Sequence, residues 1–403
     1  MRTSTNRILT THVGSLVKPP EIRQALAAQQ AGEPFDEATF GQELTDSVAE
    51  VARQQQEVGI DVPGDGEYGK AHWIWYLSER LEGVEPAPLG QAELAWWMRT
   101  NDRVDFADFY AAYEPVQRYD WSGNPDAPLL RLPAPIRHTR FTGPISYKGS
   151  AAVRRDIENL RAAVTGAAVE EAFMPSASPM AVELGQRNPA YSSDEEFVYA
   201  LAEALRHEYR AIVDAGFVLQ IDDAVLPQWI GAATRSHLEP AEISRFTDMR
   251  IEALNHALSG IAEERVRFHI CWGSWNGPHT SDAPLRDVIE YVLKVNAQAY
   301  LIESANPRHA HEWQLWEDRK LPEGKVLVPG VVNHQTNVIE HPELVALRLK
   351  AFAGLVGREN VMAGTDCGFC QGWHEVRVHP HIQWAKLASL VEGARLASEQ
   401  LWR

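Results

Sequence analysis

Cysteine is scarce in this chain of 403 residues, which contains only Cys271, Cys367 and Cys370. Three cysteines are too few to cross-link a chain of this length, so a disulfide-stapled secreted scaffold is excluded. Long apolar runs are also absent: nowhere do 18 uncharged apolar residues follow one another, and residues 1–15 lack the apolar core of a secretion signal. We therefore expect a soluble cytoplasmic protein with no membrane partner.

Positive charge is in short supply too. The chain has 38 Lys and Arg residues against 55 Asp and Glu residues, a formal net charge of -17. Nucleic-acid binders concentrate Lys and Arg, so this acidic excess excludes nucleic acid as a partner. Hydrophobic residues make up 45% of the chain, enough for a large core, and barrels of strands and helices reach this length by inserting loops. We expect residues 1–403 to form one domain, and the sequence leaves a homo-oligomer open.

Short apolar segments that end in Gly, Pro, Asn or Asp alternate with stretches of helical periodicity. Ser193 with Glu196, for example, has the form of a capping box that opens a long helix. The alternation predicts a parallel sheet, and the number of repeats predicts a closed (β/α)8 TIM barrel with inserted capping segments. There are nine strand candidates where such a barrel needs eight, and the sequence does not say which one lies outside. They are residues 8–15, 60–67, 139–144, 171–176, 217–223, 266–272, 299–304, 325–332 and 360–368.

Residues 81–135 break this alternation. The segment is rich in Pro, Trp and acidic residues and has no clear period. We expect it to be an insertion that covers the mouth of the active site.

Four side chains that can bind a metal stand at the ends of predicted strands. His269 and Cys271 are two residues apart on one strand, so both point to the same face. Glu303 closes the next strand and Cys367 closes the last one. Because the carboxyl ends of barrel strands form the catalytic face, we expect the four side chains to converge there. One imidazole, two thiolates and one carboxylate favour Zn2+ over magnesium or calcium, and the electron-rich centre suits attack by a thiolate on an alkyl carbon.

Other interpretations of the cysteines stay open at this point. A buried free cysteine is often only a small apolar side chain. Cys367 and Cys370 have the Cys-x-x-Cys spacing of a redox pair, or Cys370 replaces Cys367 as the ligand. A purely structural zinc is disfavoured, because such sites often use paired Cys-x-x-Cys knuckles whereas these candidates come singly from separate strands.

The segments around these residues resemble the catalytic barrel of the cobalamin-independent methionine synthases and their single-barrel relatives, which include the epoxyalkane:coenzyme M transferases. The resemblance runs from the THVGS segment at 11–15 to the DCGF segment at 366–369. It implies a zinc-dependent enzyme that transfers an alkyl group, conventionally methyl, to a thiol. In that family a His-x-Cys, a Glu ending the next strand and a Cys in a DCG turn bind the zinc; the matching residues here are His269, Cys271, Glu303 and Cys367.

The resemblance also implies contacts to the substrates. Val13, Gly14 and Ser15 stand where the family contacts the thiol-bearing amino acid, and Glu67 and Asp222 stand where it holds the substrate amine. Two carboxylates are what an ammonium group needs. Homocysteine is then the conventional thiol, and methyltetrahydrofolate is one candidate for the alkyl donor.

The chain departs from the family at the position of its catalytic histidine. Gln335 stands at the matching place, while His334 lies one residue earlier, on the opposite face of an extended strand. We take His334 as the candidate catalytic acid. The donor-binding segment keeps Thr142, Gly143 and Pro144 but lacks the tryptophan-containing run expected to stack on a pterin, so the donor is less well defined than the thiol.

Two other enzyme functions fit part of the pattern. The resemblance to coenzyme M transferases implies thiol addition to an epoxide, or the reverse carbon–sulfur cleavage. A sulfonate-bearing thiol would need cationic partners, for which Lys18, Lys70 and Lys148 are candidates. A decarboxylase of the related uroporphyrinogen type is disfavoured, because that barrel lacks this set of metal ligands.

Overall fold

The computed structural model describes residues 1–88, 102–113 and 137–403. Six parallel strands, β3 to β8, form one sheet in which spatial order follows chain order. Two further strands, β1 and β2, pair with each other as an antiparallel hairpin. The strands are β1 (Leu81–Pro88), β2 (Arg137–Tyr147), β3 (Phe173–Ala177), β4 (Val218–Asp222), β5 (Val266–Ile270), β6 (Ala299–Glu303), β7 (Val326–Val332) and β8 (Gly364–Thr365).

Two short segments near the N-terminus close the six-stranded sheet into a barrel. Thr10 and Thr11 form parallel bridges with Ala363 and Val62, respectively. The Phe173 amide of β3 then donates to the Pro63 carbonyl at 3.0 Å. These contacts supply the two missing strand positions, which confirms the predicted α/β barrel.

The surplus strand candidate is residues 139–144. This segment lies within β2, which pairs with β1 rather than with any barrel strand. The other eight candidates all occupy barrel positions. A hairpin strand and a barrel strand have the same local composition, so only the tertiary structure distinguishes them.

Helices follow most barrel strands and pack around the wall. The helix predicted at Ser193 is observed as Asp194–Asp214, and the Ser193 side chain accepts the Glu196 amide at 3.1 Å, as the capping signal predicts. No helix in the described ranges is long and apolar enough to cross a membrane. The helices are α1 (Pro20–Ala31), α2 (Glu37–Val58), α3 (Tyr76–Arg80), α4 (Ala107–Tyr113), α5 (Ser150–Val164), α6 (Pro179–Glu183), α7 (Asp194–Asp214), α8 (Val225–Arg235), α9 (Pro240–Ala257), α10 (Leu285–Val292), α11 (Leu315–Asp318), α12 (Pro342–Val356) and α13 (Pro380–Leu401).

The predicted insertion at 81–135 falls largely outside the described residues, which omit 89–101 and 114–136. Its first residues form β1. In the described middle part, the Tyr110 hydroxyl accepts the indole N–H of Trp275 at 2.9 Å. Trp275 belongs to the loop that follows β5, at the catalytic end of the barrel. The role of the whole insertion as a cover stays a prediction.

The barrel interior contains a buried arginine. Arg267 of β5 donates to the Gln220 side chain at 2.8 Å, to the Thr11 hydroxyl at 2.9 Å and to the His12 carbonyl at 2.8 Å. Its guanidinium lies over the Phe173 ring, 3.4 Å from the centroid. Burial lowers the pKa of Arg267 to about 9, and the three hydrogen bonds satisfy the buried group.

Candidate metal centre and substrate pocket

Three of the four predicted ligands lie together at the carboxyl end of the barrel. The ligand atoms of His269, Cys271 and Cys367 are all within 4.8 Å of one another, and the three residues are buried. The two sulfurs are 3.5 Å apart. His269 lies in β5, Cys271 directly follows β5, and Cys367 follows β8. These three residues, which we call the metal group, therefore come from two separate parts of the barrel wall. An imidazole and two thiols at this spacing fit a zinc ion.

Sheet register places a carboxylate behind the histidine. Asp222 of β4 is the parallel partner of His269 in β5. The Asp222 Oδ1 atom lies 2.8 Å from His269 Nδ1 and also accepts the Gln220 amide at 2.7 Å. This contact holds the Nδ1 proton, so Nε2 is left for a metal. Carboxylate–histidine pairs of this kind orient metal ligands.

The group is strongly polarised. Burial opposes protonation of His269, but the hydrogen bond to Asp222 and the neighbouring Cys367 outweigh it and raise its pKa to about 10. The hydrogen bond between Cys367 and Cys271 lowers the pKa of Cys367. Both shifts favour a protonated His269 beside a Cys367 thiolate. A metal ion would displace that proton, because the imidazole ligand must be neutral.

The turn that carries Cys367 is fixed by its neighbours. Asp366 Oδ1 accepts the amides of Ser304 and Ala305, each at 2.8 Å, which ties the turn to the end of β6. An added Cβ on Gly330 of β7 would lie 2.4 Å from the Asp366 Cα atom. Glycine is therefore required at this position, because any side chain would push the turn away.

Glu303, the fourth predicted ligand, is not among the three grouped residues. Its carboxylate accepts the Trp272 amide at 3.1 Å and the Asn306 amide side chain at 3.0 Å. Burial raises the pKa of Glu303 to about 7, against the opposing charges of His309 and His279. The side chain is buried at the end of β6, beside the group but held by other partners.

His334, the predicted acid, is fully buried just after β7. Neither ring nitrogen has a hydrogen-bond partner among the described residues. Burial lowers the pKa of His334 to about 4, against the opposing charge of Cys367. At neutral pH the ring is therefore uncharged, which works against a role as proton donor.

Each of the two carboxylates predicted to hold an amine keeps one oxygen without a hydrogen bond to a described residue. Glu67 Oε1 lies 3.2 Å from the ammonium of Lys70, which also donates to the Pro175 carbonyl at 2.6 Å. Asp222 uses only Oδ1 for its partners His269 and Gln220. Glu67 also has a backbone φ of 59°, a strained value for a residue other than glycine.

The predicted thiol-contacting residues lie against the Cys367 turn. Val13 is buried, and its carbonyl accepts the Gln220 side chain. Gly14 has a φ of 136°, and an added Cβ would lie 3.2 Å from Pro175. The Ser15 hydroxyl donates to the Cys370 carbonyl.

Cys370 is not in the metal group, and its thiol donates to the Gly372 carbonyl at 3.1 Å. Of the two cysteines in the Cys-x-x-Cys spacing, only Cys367 therefore faces His269 and Cys271.

Sequence reasoning missed several polar residues around the centre. The Ser274 hydroxyl lies 3.4 Å from the Cys367 sulfur. His279 and Asp282 in the same loop are in contact, as are His309 and Glu312 after β6, each pair at 2.8 Å. The repeated His-x-x-acid spacing was a signal for both pairs, although short spacings of this kind are common.

Fold and site together define an α/β barrel with a histidine–cysteine group at its catalytic end. Residues 186–385 match the model of the "Cobalamin-independent synthase, Catalytic domain" family, and this segment contains every residue of that group. Over these residues the chain is similar to the catalytic domain of the cobalamin-independent methionine synthases.

Relatives match almost the whole chain. The methionine synthase of Saccharolobus solfataricus is 24% identical over 398 residues, covering 98% of this chain and 96% of the relative. That of Sulfurisphaera tokodaii is 23% identical, covering 97% and 93%. Among solved structures, a B12-independent methionine synthase from Shewanella sp. W3-18-1 in complex with selenomethionine superposes with a TM-score of 0.68 at 21% identity, covering 98% of this chain and 99% of that one. A putative vitamin-B12 independent methionine synthase from Listeria monocytogenes gives 0.62 at 20% identity, covering 97% and 98%.

Proposed function

We propose that this chain is a zinc-dependent methyltransferase that methylates the sulfur of homocysteine or a closely related amino thiol. The group of His269, Cys271 and Cys367 carries the proposal, because its donor atoms lie close enough to share one ion. Thiolate ligands favour zinc over the hard cations. The names of the relatives, methionine synthases over nearly the full chain, support the same chemistry.

One set of residues would bind the metal, and another would bind the substrate. His269, Cys271 and Cys367 would hold the zinc, and Glu303, which is buried at the end of β6, is the candidate fourth ligand. When bound, zinc would lower the pKa of the thiol from its usual value of about 8.5, so that thiolate prevails near neutral pH. Glu67 and Asp222 would hold the substrate amine through their open oxygens.

The charges at this pocket support an amino thiol over a sulfonate thiol. Among the cations considered for a sulfonate, Lys70 is bound to Glu67, and Lys148 is half exposed and lies 3.5 Å from Glu82. Lys18 is buried without a hydrogen bond to any described residue and is the remaining candidate. Thiol addition to an epoxide is the alternative that an anionic thiol would support.

Zinc content and zinc-edge X-ray absorption test the proposal together. We expect one zinc per chain in the wild type, loss of zinc in Cys367→Ser, and retention in the matched control Cys370→Ser. Homocysteine should add a sulfur ligand to the wild-type spectrum, followed by methionine formation when an N-methyl donor is supplied.

A full equivalent of zinc in Cys367→Ser would refute the ligand assignment. A new sulfur ligand with 2-mercaptoethanesulfonate but not with homocysteine would support the epoxide alternative. Methyltetrahydrofolate as the donor and a cytoplasmic location stay predictions.

A further inference from the structure

A chain of alternating histidines and carboxylates runs through the loops beside the metal centre. His279 Nδ1 lies 2.8 Å from Asp282 Oδ2, and the same oxygen lies 3.1 Å from His309 Nε2. His309 Nδ1 in turn lies 2.8 Å from Glu312 Oε2. The two rings are almost fully buried, and the two carboxylates are nearly so. We call these four residues the histidine–carboxylate chain.

Hydrogen-bond counting favours protonation of both rings. A neutral imidazole carries one N–H donor and one acceptor nitrogen, whereas an imidazolium carries two donors. Both nitrogens of His309 face carboxylate oxygens. His279 faces Asp282 through Nδ1 and the Trp275 carbonyl, at 2.8 Å, through Nε2. Two cations therefore alternate with two anions, and the chain is neutral as a whole.

The His279 end of the chain reaches the metal centre. His279 Nε2 lies 3.2 Å from the Nε2 amide nitrogen of Gln335, which also donates to the Gly273 carbonyl at 3.1 Å. Gly273 is followed by Ser274, whose hydroxyl contacts the Cys367 sulfur. His279 is therefore connected to Ser274 through Gln335 and Gly273.

The backbone of His279 is held in a strained conformation. Its φ is 54°, in the left-handed region that residues other than glycine seldom adopt. Such strain survives where the surroundings impose it, and it is common at functional sites. The ring stacks on Trp275 with centroids 4.2 Å apart, which fixes its plane.

We propose that His279 is the proton donor of the methyl transfer, and that Asp282, His309 and Glu312 keep it protonated. This role rests on the proposed function, with a methyl donor that carries its methyl group on a tertiary amine nitrogen. A sulfur–carbon bond forms as the carbon–nitrogen bond breaks. The bonding electron pair stays on the nitrogen, which takes the Nε2 proton of His279. The thiol proton has already passed to solvent, and solvent reprotonates His279.

The charged groups around His279 support this assignment. Burial opposes its protonation, but the hydrogen bond and charge of Asp282, the charge of Glu303 from β6 and the Trp275 carbonyl together raise its pKa. His334, after β7, is also buried at this end, and burial lowers its pKa. Both nitrogens of His309 face carboxylates, whereas His279 Nε2 faces the Trp275 carbonyl, so His279 is the member of the chain with a proton to give.

The variant His279→Gln tests the role, with single-turnover methyl transfer measured across pH. The wild-type rate should fall as pH rises above the pKa of His279, because the acid is then lost. In His279→Gln the rate constant should drop about 100-fold or more at pH 7, and this alkaline limb should disappear. Zinc content and homocysteine binding should stay at wild-type values. His256→Gln, which removes a surface contact to Glu203, is the matched control and should behave as wild type.

Two further variants settle the remaining outcomes. Asp282→Asn keeps the His279 ring but removes its negative partner, so the alkaline limb of the rate profile should move to lower pH. This variant also tests the role of His279 if His279→Gln does not fold. His334→Gln should keep the alkaline limb. A wild-type rate in His279→Gln, or an alkaline limb that vanishes only in His334→Gln, would overturn the assignment. Wild-type protein that methylates no thiol from any N-methyl donor would overturn the proposed function itself, and the proton role with it.

Discussion

Asp222→Asn tests whether the carboxylate that contacts His269 strengthens metal binding. Asp222 Oδ1 lies 2.8 Å from His269 Nδ1, and both groups are buried. An asparagine of the same shape removes the negative charge that makes the imidazole a better ligand. It can also turn its NH2 group toward Nδ1, which would leave the proton on the nitrogen that must face the metal. Loss of such a partner weakens metal binding about 10- to 100-fold, or about 1.4–2.7 kcal/mol.

Competition with a chelator of known zinc affinity measures this loss without any substrate, so the predicted contact of Asp222 to the amine does not enter. The matched control is Asp223→Asn. The Asp223 carboxylate is also buried, but it contacts the Ser178 hydroxyl at 2.6 Å and the Leu226 amide at 2.9 Å rather than His269. Asp223→Asn should keep wild-type zinc affinity. Equal zinc affinities in wild type and Asp222→Asn, with both proteins folded, would refute the reasoning.

Two further substitutions test the close approach of Gly330 to Asp366 and a buried ion pair. Gly330→Ala would place a Cβ 2.4 Å from the Asp366 Cα atom, so we expect lower zinc occupancy and a lower melting temperature, whereas Gly354→Ala, which meets no atom within 4 Å in helix α12, should change neither. Arg250→Met would leave the buried Glu183 carboxylate without the guanidinium 2.5 Å away, at a cost of about 3–5 kcal/mol in urea unfolding. Adding Glu183→Leu should recover most of that loss; a double variant no more stable than the single one would contradict this account.

The position of the metal group was predictable from strand geometry together with the resemblance to the methionine synthase family. Alternation along a strand places His269 and Cys271 on one face, and the carboxyl ends of barrel strands meet, which brings Cys367 near them. Glu303 shows the limit of this reasoning: its strand position is as predicted, but its carboxylate direction depends on the Trp272 amide and on Asn306.

The histidine–carboxylate chain was not predicted for a different reason. Its His-x-x-acid spacings are too common to identify it, and no propensity predicts the positive φ that His279 adopts in its loop. The ninth strand candidate was misassigned for a similar reason, because its position depends on the tertiary structure. Residues 139–144 have the composition of a barrel strand, and only their pairing with β1 removes them from the wall.

Sheet register also places the residues that support the metal ligand His269. Gln220 pairs with Arg267 and Asp222 pairs with His269 on adjacent strands, so two polar layers lie one above the other inside the barrel. Arg267 anchors Gln220, Gln220 holds Asp222, and Asp222 orients His269. Every link in this series comes from a strand, and groups on strands keep their geometry better than groups on loops. The proposed proton donor His279 lies in a loop, so changes in that loop should alter turnover while zinc affinity stays constant.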